Sequence, residues 1–245
     1  MASFDDVVPR LFPRFVRGVL AATDHDCESP HQEERAAVAG AVENRRREFL
    51  CGRACAHAAL RAIGLDRGPI AVGTGRQPVW PTGAVGSISH AGDWSGAVVA
   101  RAADAWALGF DMEELDPPLT PEVERLVLTP DERRPPGSTG HPLAAHRSKI
   151  AYSVKESVYK CLFPRTGWRL AFDDVTVEVD LHRSRAEAQV DERFRSPAAD
   201  LSLLEVGVVV ADGYVFTGLC ITARAGWGPG ADTSPAGRRR RRAGS

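Results

Sequence analysis

Three carboxylates and a cluster of lysines define the chemistry open to this chain. Asp111 and Glu113 flank Met112 at the end of a short apolar run, and side chains two apart on a strand project on one face. Two carboxylates so placed repel one another unless a positive charge lies between them. A divalent cation is the usual resolution, and hard oxygen ligands favour Mg²⁺, with Mn²⁺ as the alternative. A third carboxylate, Glu156, belongs to a helical segment whose apolar stripe is Ile150, Val154, Val158, Cys161 and Leu162. Glu156 falls opposite that stripe with Lys149, Ser153 and Lys160, and Lys155 lies roughly 100° round the helix from it. The bland account is a solvent face with an ion pair between Glu156 and Lys160. Against it stands the basic composition: of 31 basic residues only Lys149, Lys155 and Lys160 are lysines, all in this segment. A carboxylate beside a lysine suits a phosphate-and-magnesium site, where charge stabilisation dominates catalysis.

The complementary groups lie earlier. Arg45, Arg46 and Arg47 precede Arg53, Arg76 sits in a Gly/Pro-rich loop, and Ser87-Ile88-Ser89-His90 runs from a strand into a turn. Each has an ordinary explanation as a helix-surface arginine, a turn serine or a hydrogen-bonded histidine. Together they offer the forks, hydroxyls and imidazole that a ligand with several phosphates requires.

Residue pattern indicates which elements hold these groups. Ser29-Pro30 with Glu33 reads as a capped helix start, followed by an Ala/Arg-rich helical stretch that stops at Gly64. Ala84–Ser89 and Ser95–Arg101 read as strands joined by the 90–94 connection, and Trp106–Asp111 as another. Thr120-Pro121 opens a helix ending near Thr129, and a long helix runs from Leu143 to Phe163, ended by Pro164. Strands follow at 172–179, 185–190, 206–211 and 214–222, with a turn at Asp212-Gly213. Helix then strands, twice over, predicts an α+β chain of two halves: 1–112 with the phosphate-binding groups and first carboxylates, and 113–225 with the lysine helix. Residues 226–245 read as a disordered Arg-rich tail.

The remaining composition narrows the class. With 245 residues, 43% of them hydrophobic, the chain can bury a full core. No apolar run reaches the ~20 residues of a membrane span. Asp5, Asp6 and Arg10 argue against a secretory signal, so a cytoplasmic protein is expected. The net charge of −1 becomes −6 once the five arginines 238–242 are set aside. An acidic body of this kind does not offer a nucleic-acid surface. Five cysteines at spacings that fit neither zinc nor a disulfide framework read as structural.

The order of motifs is Arg45-Arg46-x-Glu48-Phe49 with Arg53, Gly75-Arg76-Gln77-Pro78, Gly86-Ser87-Ile88-Ser89-His90, Gly109-Phe110-Asp111-Met112-Glu113 and Ser153-Val154-Lys155-Glu156-Ser157-x-x-Lys160. It resembles the 4′-phosphopantetheinyl transferases, specifically the larger monomeric type that activates surfactin and enterobactin synthetases, over about residues 29–222. The resemblance implies a pseudo-twofold pair of α+β halves with coenzyme A (CoA) as substrate in the cleft between them. It implies transfer of phosphopantetheine to a serine of an acyl or peptidyl carrier protein. By motif match, Asp111, Glu113 and Glu156 would hold Mg²⁺, and Lys155 would contact the phosphates and stabilise leaving-group charge. Arg45, Arg53, Arg76 and His90 would hold the CoA phosphates, with Ser89 supporting the pocket. The base is either Glu156, which is favoured, or a metal-bound water beside Glu113. A docking surface for the carrier is expected over 120–142, with Leu126, Val127, Leu128, Arg133 and Arg134. Two other functions stand as alternatives: a Mg²⁺-dependent nucleotide phosphohydrolase using the same three carboxylates, and a nonenzymatic polyanion binder working through the arginine tail and the arginine-rich helix.

Overall fold

The computed structural model describes residues 4–23, 31–134, 141–194 and 200–223. In chain order its elements are α1 (Phe4–Leu11), β1 (Arg17–Ala22), α2 (Gln32–Ala37), α3 (Glu43–Ala62), β2 (Ala71–Val72), β3 (Pro78–Val79), β4 (Ala84–Ala91), β5 (Trp94–Arg101), β6 (Ala105–Glu114), α4 (Pro121–Val127), α5 (Arg147–Thr166), β7 (Val175–Asp180), β8 (Arg185–Val190), β9 (Leu203–Ala211) and β10 (Tyr214–Thr222). The antiparallel strands form one sheet in the order β1-β5-β4, a five-stranded sheet β6-β10-β9-β8-β7 and the small β2-β3 hairpin. Each half sets one twenty-residue helix on its sheet, α3 on the first and α5 on the second. This is the expected α+β architecture.

The α3 face buries Cys55, Ala56, Ala59 and Leu60 against Ala97 and Val99 of β5. The α5 stripe of Ile150, Val154, Val158, Cys161 and Leu162 is fully buried against β7–β10. A third core joins the halves. It collects Val7, Val8, Leu11 and Phe12 from α1 and its end, Val85 and Val98 from the first sheet, and Leu108, Phe110 and Met112 from β6. Alternation along β6 therefore sends 108, 110 and 112 into the shared core and 109, 111 and 113 towards α5.

Several expectations change. The boundary expected at residue 112 falls inside β6, and the passage from one sheet to the other lies earlier, at 102–104. The long helix does not stop at Pro164; it runs another half-turn to Thr166 and ends at Gly167, whose φ of 67° provides the left-handed cap. α1 and β1 are not among the expected elements, although Phe4, Val7, Val8, Leu11 and Phe12 recur at helical spacing; they contribute a core wall and a sheet edge. Cys51 and Cys55 are both buried, but Cys51 is disulfide-bonded while Cys55, Cys161 and Cys220 are free, which overturns the expectation of no pairing. The Ser29 cap and the tail lie outside the described residues. No helix among the described residues is long and apolar enough to cross a membrane.

Candidate active site

The site begins with the serine spacing in β4. Ser87 and Ser89, two apart, both point at β6, whose backbone on that side has no neighbouring strand. Ser87 Oγ accepts from Phe110 N at 3.0 Å and donates to Phe110 O at 3.3 Å. Ser89 Oγ accepts from Met112 N and donates to Asp111 Oδ1 at 2.9 Å. These hydroxyls substitute for a strand ladder and tie the halves together beside the first carboxylate. Residues of β4 with the other parity face α3, so His90 meets Arg45 there.

Asp111 is almost fully buried and accepts from three donors. Its Oδ1 takes Ser89 and Lys160 Nζ at 2.6 Å, and its Oδ2 takes Ser153 Oγ at 2.7 Å. Lys160 Nζ also reaches Ser89 Oγ at 3.0 Å. Beside this face of α5 runs a buried hydroxyl chain: Ser153 and Ser157 bond Thr217 of β10 at 2.9 and 2.6 Å. α5 comes this close to β6 because Gly109 has no side chain; a Cβ there would strike the carbonyl of Ser157.

A cleft of about 420 Å³ opens at this junction. Arg45, Glu48, Phe49 and Arg53 of α3 form one wall, and the hairpin residues Gly75–Pro78 form its rim. The floor is Gly86–His90 with Asp111 and Glu113. Tyr152, Glu156, Tyr159, Lys160 and Phe163 of α5 close the opposite wall. A larger depression of about 660 Å³, between the end of α1 and β8–β10, contains none of the residues singled out from the sequence.

The expected residues Arg45, Arg53, Arg76, Ser89, His90, Asp111, Glu113 and Glu156 all line this one cleft. Lys155 does not, which corrects its expected place at the phosphates. It leaves the helix on another side and is buried, donating to Glu132 Oε2 at 2.7 Å and to the carbonyls of Val127 and Phe172, both at 2.9 Å. Lys160 occupies the cleft in its place. It was legible as the last lysine of the motif, one turn after Glu156 and therefore on the same face. Tyr152, one turn before Glu156, carried the same signal and was missed.

The electrostatics divide the cleft. Burial pushes Glu113 up to about 7, and the Asp111 charge adds to this while Lys160 and Lys149 oppose it. Burial also raises Glu156, against the pull of Lys160 and with the push of Asp111. Tyr152 rises through burial and the charges of Glu156, Glu113 and Asp111. On the opposite wall, burial lowers Arg53 to about 10, Glu34 resisting and Arg45 adding. His90 is lowered by burial and by Arg45 and Lys160, with Glu48 opposing. It is therefore neutral at pH 7 and accepts from Arg45 at Nε2, 3.0 Å away. Arg76 holds a left-handed φ of 67° at the hairpin tip, a strained conformation that brings its side chain to the rim.

Three carboxylates line this side of the cleft with one ammonium, which leaves a surplus of negative charge there, and the all-oxygen donor set suits a hard divalent cation. The residues present fit a magnesium-type ion. Among the described residues, the candidate ligand group whose atoms lie within 4.8 Å of one another is elsewhere, at His31, His57 and Asp66. Of the expected docking residues, Val127 and Leu128 are core, whereas Leu126 is 76% exposed. Arg133 Nη1 caps the carbonyls of Arg125 and Leu128, and Arg134 pairs with Asp131. Residues 135–140 of that stretch lie outside the described residues.

Comparison with known proteins agrees with this geometry. Residues 33–100 match the 4′-phosphopantetheinyl transferase N-terminal domain, and residues 107–216 match the 4′-phosphopantetheinyl transferase superfamily. The 4′-phosphopantetheinyl transferase Svp of Streptomyces mobaraensis is 44% identical over 149 residues, 60% of each chain. PptT, a 4′-phosphopantetheinyl transferase of Mycobacterium tuberculosis, is 38% identical over 154 residues, 62% of this chain and 67% of its own. Enterobactin synthase component D of Salmonella typhi is 36% identical over 139 residues, 56% of this chain and 55% of its own. The matched region thus spans less than two thirds of the first and third of these relatives. With both domain models matched in order across the two halves that build the cleft, the chain belongs to the 4′-phosphopantetheinyl transferase superfamily, a family of enzymes.

Proposed function

We propose that the protein transfers the 4′-phosphopantetheine group of CoA to a serine hydroxyl of an acyl or peptidyl carrier protein, releasing adenosine 3′,5′-bisphosphate. The observation that carries this is the two-sided cleft: Arg45, Arg53 and Arg76 face Asp111, Glu113 and Glu156, with Lys160 between. A ligand with several phosphates and a bound cation satisfies both walls at once.

In this reading Arg45, Arg53, Arg76 and neutral His90 hold the CoA phosphates, and Ser89 keeps Asp111 oriented. Asp111, Glu113 and Glu156 would hold Mg²⁺, which when bound supplies charge neutralisation at the pyrophosphate. The serine oxygen forms a bond to the phosphorus that bears the pantetheine arm. The bond from that phosphorus to the bridging oxygen breaks, and the nucleotide phosphate takes up the electron pair. Lys160 is the ammonium placed to stabilise that departing charge. Glu156, whose carboxyl burial raises above the ordinary range, accepts the serine proton. The cleft is complete within one chain, which supports action as a monomer, and we place the protein in the cytoplasm. Leu126 and Arg134 mark the carrier-facing surface.

The test is the intact mass of an apo carrier protein incubated with this protein, CoA and Mg²⁺, with an EDTA control. A gain of one phosphopantetheine that EDTA abolishes is the expected result. CoA cleavage without any gain, across several carrier proteins, would replace transfer by nucleotide hydrolysis.

A further inference from the structure

His57 is fully buried on α3, one turn beyond Arg53 on the same face of the helix, and does not itself line the cleft. Its Nδ1 lies 2.6 Å from Asp66 Oδ1 and its Nε2 lies 3.0 Å from Glu34 Oε1. A neutral imidazole has one N–H, so only the imidazolium donates to both carboxylates. Glu34, on α2, is buried too and accepts from Ile70 N at 2.6 Å. The same Oε1 stands 4.0 Å from Arg53 Nε, a buried nitrogen with no hydrogen-bond partner. Arg53 then passes over the Phe49 ring, 4.6 Å away, into the cleft. Nothing in the transfer chemistry described above uses this buried chain of charges.

We propose that His57 is a positioning residue for CoA binding: clamped between Asp66 and Glu34, it fixes the Glu34 carboxylate beside Arg53 and so sets the guanidinium in the cleft. This rests on the reading of Arg53 as a phosphate-binding group. Among the described residues, the charged groups that face the clamp come from three segments. Glu34 and the His31 ring, 4.7 Å from His57, come from the start of α2; Arg53 and Arg61 come from α3, Arg61 bonding Asp66 at 3.0 Å; Asp66 comes from the following loop. Against the opposing effect of burial, hydrogen bonds and charge from Glu34 and Asp66 raise His57, in keeping with an imidazolium that donates to both carboxylates.

Steady-state kinetics with CoA as varied substrate test this in the full chain. Glu34→Gln should raise KM for CoA about tenfold with little change in kcat, as expected for loss of a fixed buried counter-charge. Asp66→Asn, at a partly exposed site, should raise KM about threefold with little change in kcat. In an Arg53→Ala background neither substitution should raise KM further. Additive effects there, or variants with lower Tm and unchanged KM, would reduce the clamp to a structural feature. An Arg53→Ala protein with wild-type KM for CoA would instead remove the phosphate-binding reading of Arg53, and the proposal with it.

Discussion

Lys155 and Lys160 leave α5 about 140° apart, and the two ammonium groups end in opposite surroundings. Lys160 is a quarter exposed and faces the cleft, where Asp111 and Ser89 receive it. Lys155 is sealed under α4, where Glu132 and two carbonyls use all three of its protons. Glu132 is itself satisfied by the amides of Thr129 and Val177, so this pair pins α4, β7 and the 172 turn to one point on the helix. One face of α5 thus presents charge to a ligand and another uses charge to hold its neighbours. The difference lies in solvent access. A charge reachable by water costs little and can serve chemistry, whereas a sealed one must be fully partnered and becomes architecture.

The largest effect should therefore come from the sealed pair. Lys155→Met leaves Glu132 buried without its partner and should cost about 3–5 kcal/mol of stability. The double variant Lys155→Met with Glu132→Gln should recover a large part of that, measured by urea unfolding. Loss of transfer by Lys155→Met at unchanged stability would collapse the distinction between the two lysines. The cleft face should show the reverse pattern. Glu156→Gln should reduce kcat by at least about a hundredfold without lowering Tm, because Glu156 sits among like charges. Lys160→Met should fall in the same kinetic class. Asp111→Ala is a poorer probe, since it strips Lys160, Ser89 and Ser153 of a shared acceptor and will lose stability as well as activity.

A smaller effect is expected from the cation. Folded Glu113 holds its proton up to about 7, above the ordinary 4.5 of an unfolded glutamate. Between those values the folded state binds more protons than the unfolded one, so without metal stability falls as pH rises through that window. Mg²⁺ should reverse the loss, raising Tm at pH 8 and leaving it unchanged at pH 4.5. A Tm shift of the same size at both pH values would detach the ion from these carboxylates.

The sequence made the cleft more legible than its supports. Period-two alternation put Asp111 and Glu113 on one face, and one-turn spacing put Lys160 beside Glu156; both relations are local. Lys155 matched a motif by position, but its partner Glu132 is distant in sequence and no pattern points to it. The pairing of Ser153 and Ser157 with Thr217 was not legible, because a short hydroxyl side chain carries no sign of the distant residue that will meet it. Ser87 and Ser89 were visible as a pair, yet their bonding to the β6 edge depends on how two sheets pack. Pro164 lies inside the helix because the final turn is held by packing and by the Gly167 cap, against the local preference for stopping.

The smallest effect concerns what the sealed lysine supports. Lys155 and Glu132 fix the base of α4, Leu126 is exposed at the helix surface, and Arg134 beyond it pairs with the solvent-exposed Asp131. An apolar side chain beside a basic one suits an acidic amphipathic helix of a carrier protein, and neither residue lines the CoA cleft. Leu126→Ser and Arg134→Glu should each raise KM for the carrier about three- to tenfold, with kcat and KM for CoA unchanged. The Arg134→Glu effect should shrink with added salt, because an exposed charge is screened, while the Leu126→Ser effect should persist. If both variants instead altered KM for CoA, α4 would belong to the cleft, and the division of α5 into a ligand face and an anchoring face would have to be redrawn.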